Sequence, residues 1–332
     1  MNEDSPGRVR LTVEQARELS ERVLGKVGYD SEEAAILADH MLDAALCGYE
    51  YSGLPKILNT AEHPKAALPR TPMRVMNETA VSVLFDGGNN VGMLTMYYAT
   101  EVAIDKARKN GFSLVGVTNS WTSGRSAYYV EMVARAELIG LHTVASPNLV
   151  APPGGTRSAL GTNPIAFGFP TQGDPLIIDI GTSAFMFTDL GMRERLGQLL
   201  PEGVAIDPQG RPTRDPEQAR LGALLPFGGY KGFALGLAMQ AFGVLAGSGF
   251  NVNKDYGYLI IAIKPDLLLP LDDFKRDLAA VIARIKATPR QPGVDEIRIP
   301  SERAFRERER SLREGIVIDR RIYHALEALA AR

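Results

Sequence analysis

Apolar positions near the start of the chain fall at helical spacing. Val13, Ala16, Leu19 and Val23 share one face of a segment that opens on Thr12, with Gln15 three residues on as a capping-box partner; this predicts a helix to about residue 25. A second helix is predicted over 31–48, started by Ser31 with Glu32 and Glu33. Residues 49–70 hold Pro55, Pro64 and Pro69 and are expected to be irregular. The pattern then alternates between strands and helices. Residues 81–88 read as a strand running into a turn, 94–110 as a helix and 113–117 as a short strand. A polar turn, 118–125, precedes a helix over 127–138. Strands over 141–145, 165–169 and 176–180 follow, with a Pro- and Gly-rich loop at 147–161. Residues 201–221, rich in Pro, Asp, Gly and Arg, read as an exposed loop or ligand flap. Beyond them come an apolar helix over 233–244, a strand over 258–263, a helix over 274–286 and an amphipathic helical tail over 316–331. Strands interleaved with helices place the chain in the α/β class.

A length of 332 residues suits two domains of roughly 150 residues each. The net charge of −2 removes the electrostatic reason to expect nucleic acid or an anionic membrane as partner. No apolar run reaches the ~18 residues of a membrane span, and the first ten residues lack the apolar core of a secretory signal. The single cysteine, Cys47, excludes an internal disulfide and fits a reducing compartment, so a cytoplasmic location is expected. Cys47 ends the largely apolar stretch 36–47 and is expected to be a buried structural thiol rather than a nucleophile. Four scattered histidines give no metal-ligand spacing, so no metal is expected. His142 lies in an apolar strand and reads as a core histidine. The alternating charges of 303–314 read as a solvated helix face.

The segment 225–232 (Leu-Pro-Phe-Gly-Gly-Tyr-Lys-Gly) sets three glycines and Lys231 directly before an apolar helix. Such a turn lets backbone N–H groups, a cation and the helix dipole meet an anion, and a phosphate-bearing cofactor suits it. A loop that merely precedes a helix is the alternative. No G-x-G-x-x-G follows a predicted strand, which argues against a Rossmann dinucleotide site.

In order along the chain, residues 160–166 (Leu-Gly-Thr-Asn-Pro-Ile-Ala), 179–183, Pro201-Glu202-Gly203, the GGYKG turn and 299–303 (Ile-Pro-Ser-Glu-Arg) resemble the malate/L-lactate dehydrogenase family of NAD(P)-dependent oxidoreductases. That family includes sulfolactate, ureidoglycolate and diketogulonate dehydrogenases and cyclic-ketimine reductases, and the resemblance runs from about residue 11 to 329. It implies a non-Rossmann mixed, largely antiparallel sheet that binds the cofactor over 76–289. A helical domain from the chain's two ends, 1–75 with 290–332, would carry the substrate side and the dimer contact. The implied cofactor is NADPH or NADH, the implied assembly a homodimer, and the implied partner a small-molecule substrate. Carried over by position, the cofactor would touch Asp179, Gly181, Thr182, Ser183, Tyr230, Lys231, Ser301, Glu302 and Arg303. A strand-end carboxylate capping a turn is the alternative reading of Asp179.

The chemical side departs from the family. Where the family reads Gly-His-Asp-Ser-His-Gly-Val followed by an arginine, this chain reads Gly48-Tyr49-Glu50-Tyr51-Ser52-Gly53-Leu54-Pro55-Lys56, so Ser52 stands at the proton-donating histidine and Lys56 at the arginine. In the second segment, Asn119 to Gly124, Thr122 replaces another histidine. Thr156 replaces a lysine, and Thr188-Asp189 a Gly-Lys pair. Reducing a ketone requires a proton at oxygen from a group titrating near neutrality; serine and threonine do not supply one, and tyrosine must be tuned downward. An iminium nitrogen already carries the proton, so hydride transfer to it needs positioning and a stabilising negative charge but no general acid. Glu50, Asp179 and Asp189 are candidates for that charge, and Lys56, Arg125 and Thr156 for holding substrate. The apolar stripe Ile318, Ile322, Leu326 and Leu329 is expected at the dimer contact. Three readings stay open: reductase of an imine or an unusual 2-oxo acid, 2-hydroxy acid dehydrogenase with Tyr49 or Tyr51 as donor, and a protein without the redox step that binds nucleotide in a structural role or uses the pocket for other chemistry.

Overall fold

The computed structural model describes residues 7–249 and 255–331; the first six residues of the polar opening lie outside them. In chain order it runs β1 (Arg8–Leu11), α1 (Val13–Val27), α2 (Ser31–Leu46), α3 (Pro55–Ala61), β2 (Arg74–Glu78), β3 (Ser82–Val91) and α4 (Gly92–Asn110). Next come β4 (Phe112–Trp121), α5 (Ser126–Arg135), β5 (Ile139–Ala145), β6 (Ile165–Phe169), β7 (Leu176–Ile180), α6 (Phe187–Leu196), β8 (Ala205–Ile206), α7 (Pro216–Leu221) and β9 (Ala223–Leu224). The chain closes with α8 (Tyr230–Leu245), β10 (Gly257–Ile263), α9 (Leu271–Lys286), α10 (Glu302–Glu314), β11 (Ile316–Asp319) and α11 (Arg320–Ala330). No described helix is long and apolar enough to cross a membrane.

Seven strands form one mixed sheet in the order β2-β3-β4-β10-β5-β6-β7, in which only β3 and β4 run parallel. The expected mixed, mostly antiparallel sheet is present. Its apolar cluster, including Val115, Val117, Tyr258 and Ile260, is covered by α4 and α5. A second core joins residues 9–58 to 316–330, with Leu37, Met41, Leu54, Ile57, Ile318, Ile322 and Leu326 nearly free of solvent contact.

The expected capping box of Thr12 with Gln15 forms, and the second helix is capped by Asp30, one residue ahead of Ser31, in a further box with Glu33. Elsewhere the structure corrects the sequence reading. Within 49–70, expected to be irregular, Pro55 occupies the first turn of α3, where its missing N–H costs nothing. The strand expected over 113–117 runs on through Trp121, taking in Asn119 and Ser120. The 201–221 segment is no open flap: Val204, Ala205, Ile206 and Ala219 are buried, and α7 closes it. The tail begins with strand β11, antiparallel to β1, rather than with helix. Consequently Ile318, Ile322 and Leu326 are buried inside the same chain and Leu329 packs on that core, so this stripe offers no dimer contact. The charge-dense α10 is not wholly solvated either, because Arg308 is drawn in against Glu131 and Asp43 at 2.7 and 2.6 Å.

A stitch around residues 160–166 joins three elements. Asn163 accepts the Ser146 N–H at 3.0 Å and donates to Gly236 O and Gln240 Oε1 at 3.0 and 2.9 Å; Thr182 Oγ1 donates to Thr162 O at 3.0 Å. Gly161 sits so tightly that a Cβ would overlap Ser146 and Asn163. Gly161→Ala is therefore expected to cost about 1–3 kcal/mol, seen as a lower urea midpoint. Gly25→Ala, in open space on α1, should raise the midpoint or leave it unchanged.

Candidate active site

A cavity of about 290 Å³ opens where five parts of the chain meet: the 49–52 turn, the start of α5, the end of β7, the start of α6 and the turn before α10. Tyr49, Tyr51, Ser52, Arg125, Asp179, Gly181 and Ser301 line it, together with Ser126, Met186, Thr188 and Pro300. Seven of the eighteen residues singled out from sequence thus share one wall, although they are spread over some 250 positions.

Asp179 lies at the end of β7 and accepts the Ala127 N–H of α5 at 2.9 Å, so the carboxylate caps a helix while facing the cavity. Burial raises its pKa, and the Ala127 N–H and the Arg125 guanidinium pull it back. Arg125 is almost enclosed and pairs with Asp43. Burial acts to lower its pKa, but Asp43, Cys47, Asp179 and Tyr49 together outweigh burial and raise it. The Tyr49 ring lies between two cations, with Arg125 5.0 Å and Arg303 4.9 Å from its centroid. Arg303 has no carboxylate partner within ion-pair distance among the described residues.

Tyr51 is a poor acid. Burial, then Tyr49, Asp189 and Asp179, push its pKa up to about 12. No histidine lines the cavity. His40 is buried on α2, accepts the Arg125 N–H through Nε2 at 2.9 Å and is pushed down to about 3 by burial and by the charges of Arg125 and Lys56. His142 is likewise buried in the core and pushed down to about 3, but it is not the satisfied core histidine expected, since neither ring nitrogen has a hydrogen-bond partner among the described residues. His63 stacks on Trp121, with ring centroids 4.4 Å apart. Cys47 is buried, and burial pushes its thiol up.

Other singled-out residues are placed elsewhere. Glu50 turns away from the cavity, binds Arg8 through both oxygens at 2.9 and 2.8 Å and accepts the Asp319 N–H at 3.0 Å, so it fastens the β1–β11 pair. Thr156 is exposed and lies against Gly210. Thr122 is held at a φ of 55°, unusual for a β-branched residue, and its hydroxyl faces the Tyr256 phenol. The Thr182 and Ser183 hydroxyls donate inward, to Thr162 O and Phe185 O, and Glu302 binds Lys286 and the Ile299 N–H. Asp189, half-buried on α6, pairs loosely with Arg193 at 3.6 Å, and burial raises its pKa. Lys56 is buried, with Nζ 3.3 Å from Thr188 Oγ1. The sequence reading omits Asp43, although a carboxylate flanked by Leu42, Ala44 and Ala45 late in a helix implies a buried cationic partner.

The GGYKG turn abuts the cavity wall. Phe227 N–H donates to Thr182 O at 3.1 Å, and Gly232 is packed so closely against Phe227 and Thr182 that no side chain fits. Gly228 and Gly229, by contrast, take φ of 54° and 61° in open space, and Tyr230 and Lys231 are exposed at the start of the 16-residue α8.

Residues 11–327 match the family model for malate/L-lactate dehydrogenase. A malate dehydrogenase of Pyrococcus abyssi is 32% identical over 98% of this chain and 95% of its own. A Delta(1)-pyrroline-2-carboxylate/Delta(1)-piperideine-2-carboxylate reductase of Pseudomonas syringae is 33% identical over 95% of each. The structure of malate dehydrogenase from Pyrococcus horikoshii superposes with a TM-score of 0.89 at 28% identity, covering 100% of this chain and 97% of that one. With the family model and these relatives in agreement, the chain belongs to the malate/L-lactate dehydrogenase family and is an oxidoreductase.

Proposed function

We propose that the protein reduces a small carboxylate-bearing imine, or an unusual 2-oxo acid, with NADH or NADPH, and does so without a histidine acid. The observation that carries this reading is the cavity wall itself: it holds Asp179 and a Tyr51 pushed up to about 12, and no histidine. An already cationic C=N group needs no acid at that wall, and a carboxylate favours it. The relative from Pseudomonas syringae, named for reduction of two cyclic imine carboxylates, supports the same substrate class. A tyrosine donor is disfavoured because the surroundings of Tyr51 move its pKa away from neutrality.

The family implies a nicotinamide cofactor, and the residues present fit one. The open Gly228-Gly229 turn, the α8 N-terminus and the exposed Lys231 would hold its diphosphate; the wall from Asp179 to Gly181 would receive its nicotinamide end. When bound, the cofactor supplies hydride. Arg303, with Arg125 held in place by Asp43, would orient the substrate carboxylate, and Asp179 would stabilise positive charge on the substrate.

We further propose a homodimer formed through α8. Its outer face, Ala234, Leu237, Ala238, Ala241, Phe242 and Leu245, is apolar and exposed, while Gly236, Met239 and Gly243 face the sheet. A helix that is apolar all round implies cover on both sides.

Three outcomes are expected. Lys231→Ala weakens binding of reduced nicotinamide cofactor about tenfold, since an exposed cation on phosphate contributes on the order of 1.5 kcal/mol; an unchanged Kd by cofactor fluorescence contradicts the assignment. Cyclic imine carboxylates are turned over, and Tyr51→Phe changes kcat by no more than about threefold, whereas loss of a true acid costs ~100-fold or more. Phe242→Glu combined with Leu245→Glu gives a monomer by light scattering; a monomer mass for the unmodified protein at micromolar concentration refutes the dimer.

A further inference from the structure

Lys56 is the exception among the buried cations of the described residues. Arg125 pairs with Asp43, Arg308 with Asp43 and Glu131, and Lys65 with Asp255. Lys56 is 8% exposed, sits on α3 between the buried Leu54, Ile57 and Leu58, and has no carboxylate within ion-pair distance among the described residues. Its side chain makes one hydrogen bond, to Thr188 Oγ1 at 3.3 Å. Thr188 is itself part of the cavity wall. A hydroxyl accepts and donates at once, so Thr188 joins a buried ammonium to the place where substrate would lie.

We propose that Lys56, acting through the Thr188 hydroxyl, delivers the proton that reduction of a neutral C=O group requires, which extends the protein's chemistry from imines to 2-oxo acids. The inference rests on the reductase reading above. As hydride adds to the carbonyl carbon, the C=O π pair moves to oxygen. That oxygen takes the proton of Thr188 Oγ, which in turn takes one from Lys56 Nζ. The substrate is reduced to the alcohol, the nicotinamide is oxidised, and Lys56 is left neutral until solvent returns its proton. Burial in apolar surroundings favours this direction, because it lowers the Lys56 pKa to about 8.

The other charges around α3 are engaged elsewhere. Glu50 is turned to Arg8, Arg22 of α1 pairs with Glu327 of α11, Arg195 of α6 with Glu62, and Asp189 with Arg193. His40 and His63, whose rings sense the Lys56 charge, are both pushed below the ordinary histidine range by burial.

The test compares a simple 2-oxo acid, pyruvate, with an N-methylated cyclic iminium carboxylate, whose reduction needs no proton. Lys56→Met and Thr188→Val should each lower kcat for pyruvate by about 100-fold or more, at least about tenfold more than they lower kcat for the iminium, while Thr188→Ser retains turnover of both. In the unmodified protein, pyruvate kcat should fall as pH rises through about 8, and Lys56→Met should lose that limb. A readout without substrate or cofactor accompanies it. With a folded-state pKa below the unfolded one, the unfolded chain binds the extra proton between the two, so the urea midpoint of the unmodified protein should rise relative to Lys56→Met as pH increases above about 8. Equal losses on both substrates, unchanged pyruvate turnover, or a flat midpoint difference would overturn the relay. Turnover of neither substrate by the unmodified protein would refute the reductase reading and the relay with it; turnover of both with unaffected variants would refute the relay alone.

Discussion

A guanidinium cannot leave water without a carboxylate to meet it, and this constraint organises the middle of the molecule. Asp43 of α2 receives Arg125 from the start of α5 and Arg308 from α10, and Glu131 of α5 receives Arg308 as well. Three helices from distant parts of the chain are thereby drawn to one point. The cavity lies beside it, because the same helix starts carry its wall: Arg125 to Ala127 on one side, Pro300 and Ser301 on another. Removing Asp43 would leave the enclosed Arg125 unpaired and Arg308 with Glu131 alone, so the site and the fold share a single dependence.

The cofactor turn is held in a comparable way, by close backbone approach rather than by charge. Gly232 meets Phe227 and Thr182, Gly161 meets Ser146 and Asn163, and Asn163 reaches α8 through Gly236 and Gln240. Residues that look like ligand contacts in the sequence, Thr182 and Ser183 among them, use their hydroxyls to hold this geometry. The glycines left in open space, Gly228 and Gly229, are the ones free to admit something else.

Much of the fold is legible in the residues. The Thr12 box reads correctly because a local hydrogen bond between residues three apart decides it, and β6 and β7 because they are short apolar runs between turn residues. The closing strand β11 is not legible, since Ile-Val-Ile-Asp ahead of an amphipathic helix extends the same apolar pattern, and only β1, some 300 positions away, makes it a strand. For the site, ordered segments mark which stretches converge, but not which way a side chain turns. Glu50 and Tyr51 are neighbours in sequence; one fastens β1 to β11 through Arg8 and Asp319, and the other faces the cavity. Lys56 and Thr188 bear no visible relation until α3 and α6 are set side by side.

The joining of residues 9–58 to 316–330 in one core also sets a timetable for the growing chain. The inner faces of α1 and α2 leave the ribosome early, while β11 and α11, which cover them, are made some 260 residues later. At roughly 5–20 residues per second, that interval is on the order of tens of seconds. During it the mixed sheet can assemble from residues made in between, but α1, α2 and α3 have no complete partner. The last fifteen residues of this core therefore act as a latch, and the order of synthesis makes their arrival the event that completes the native core.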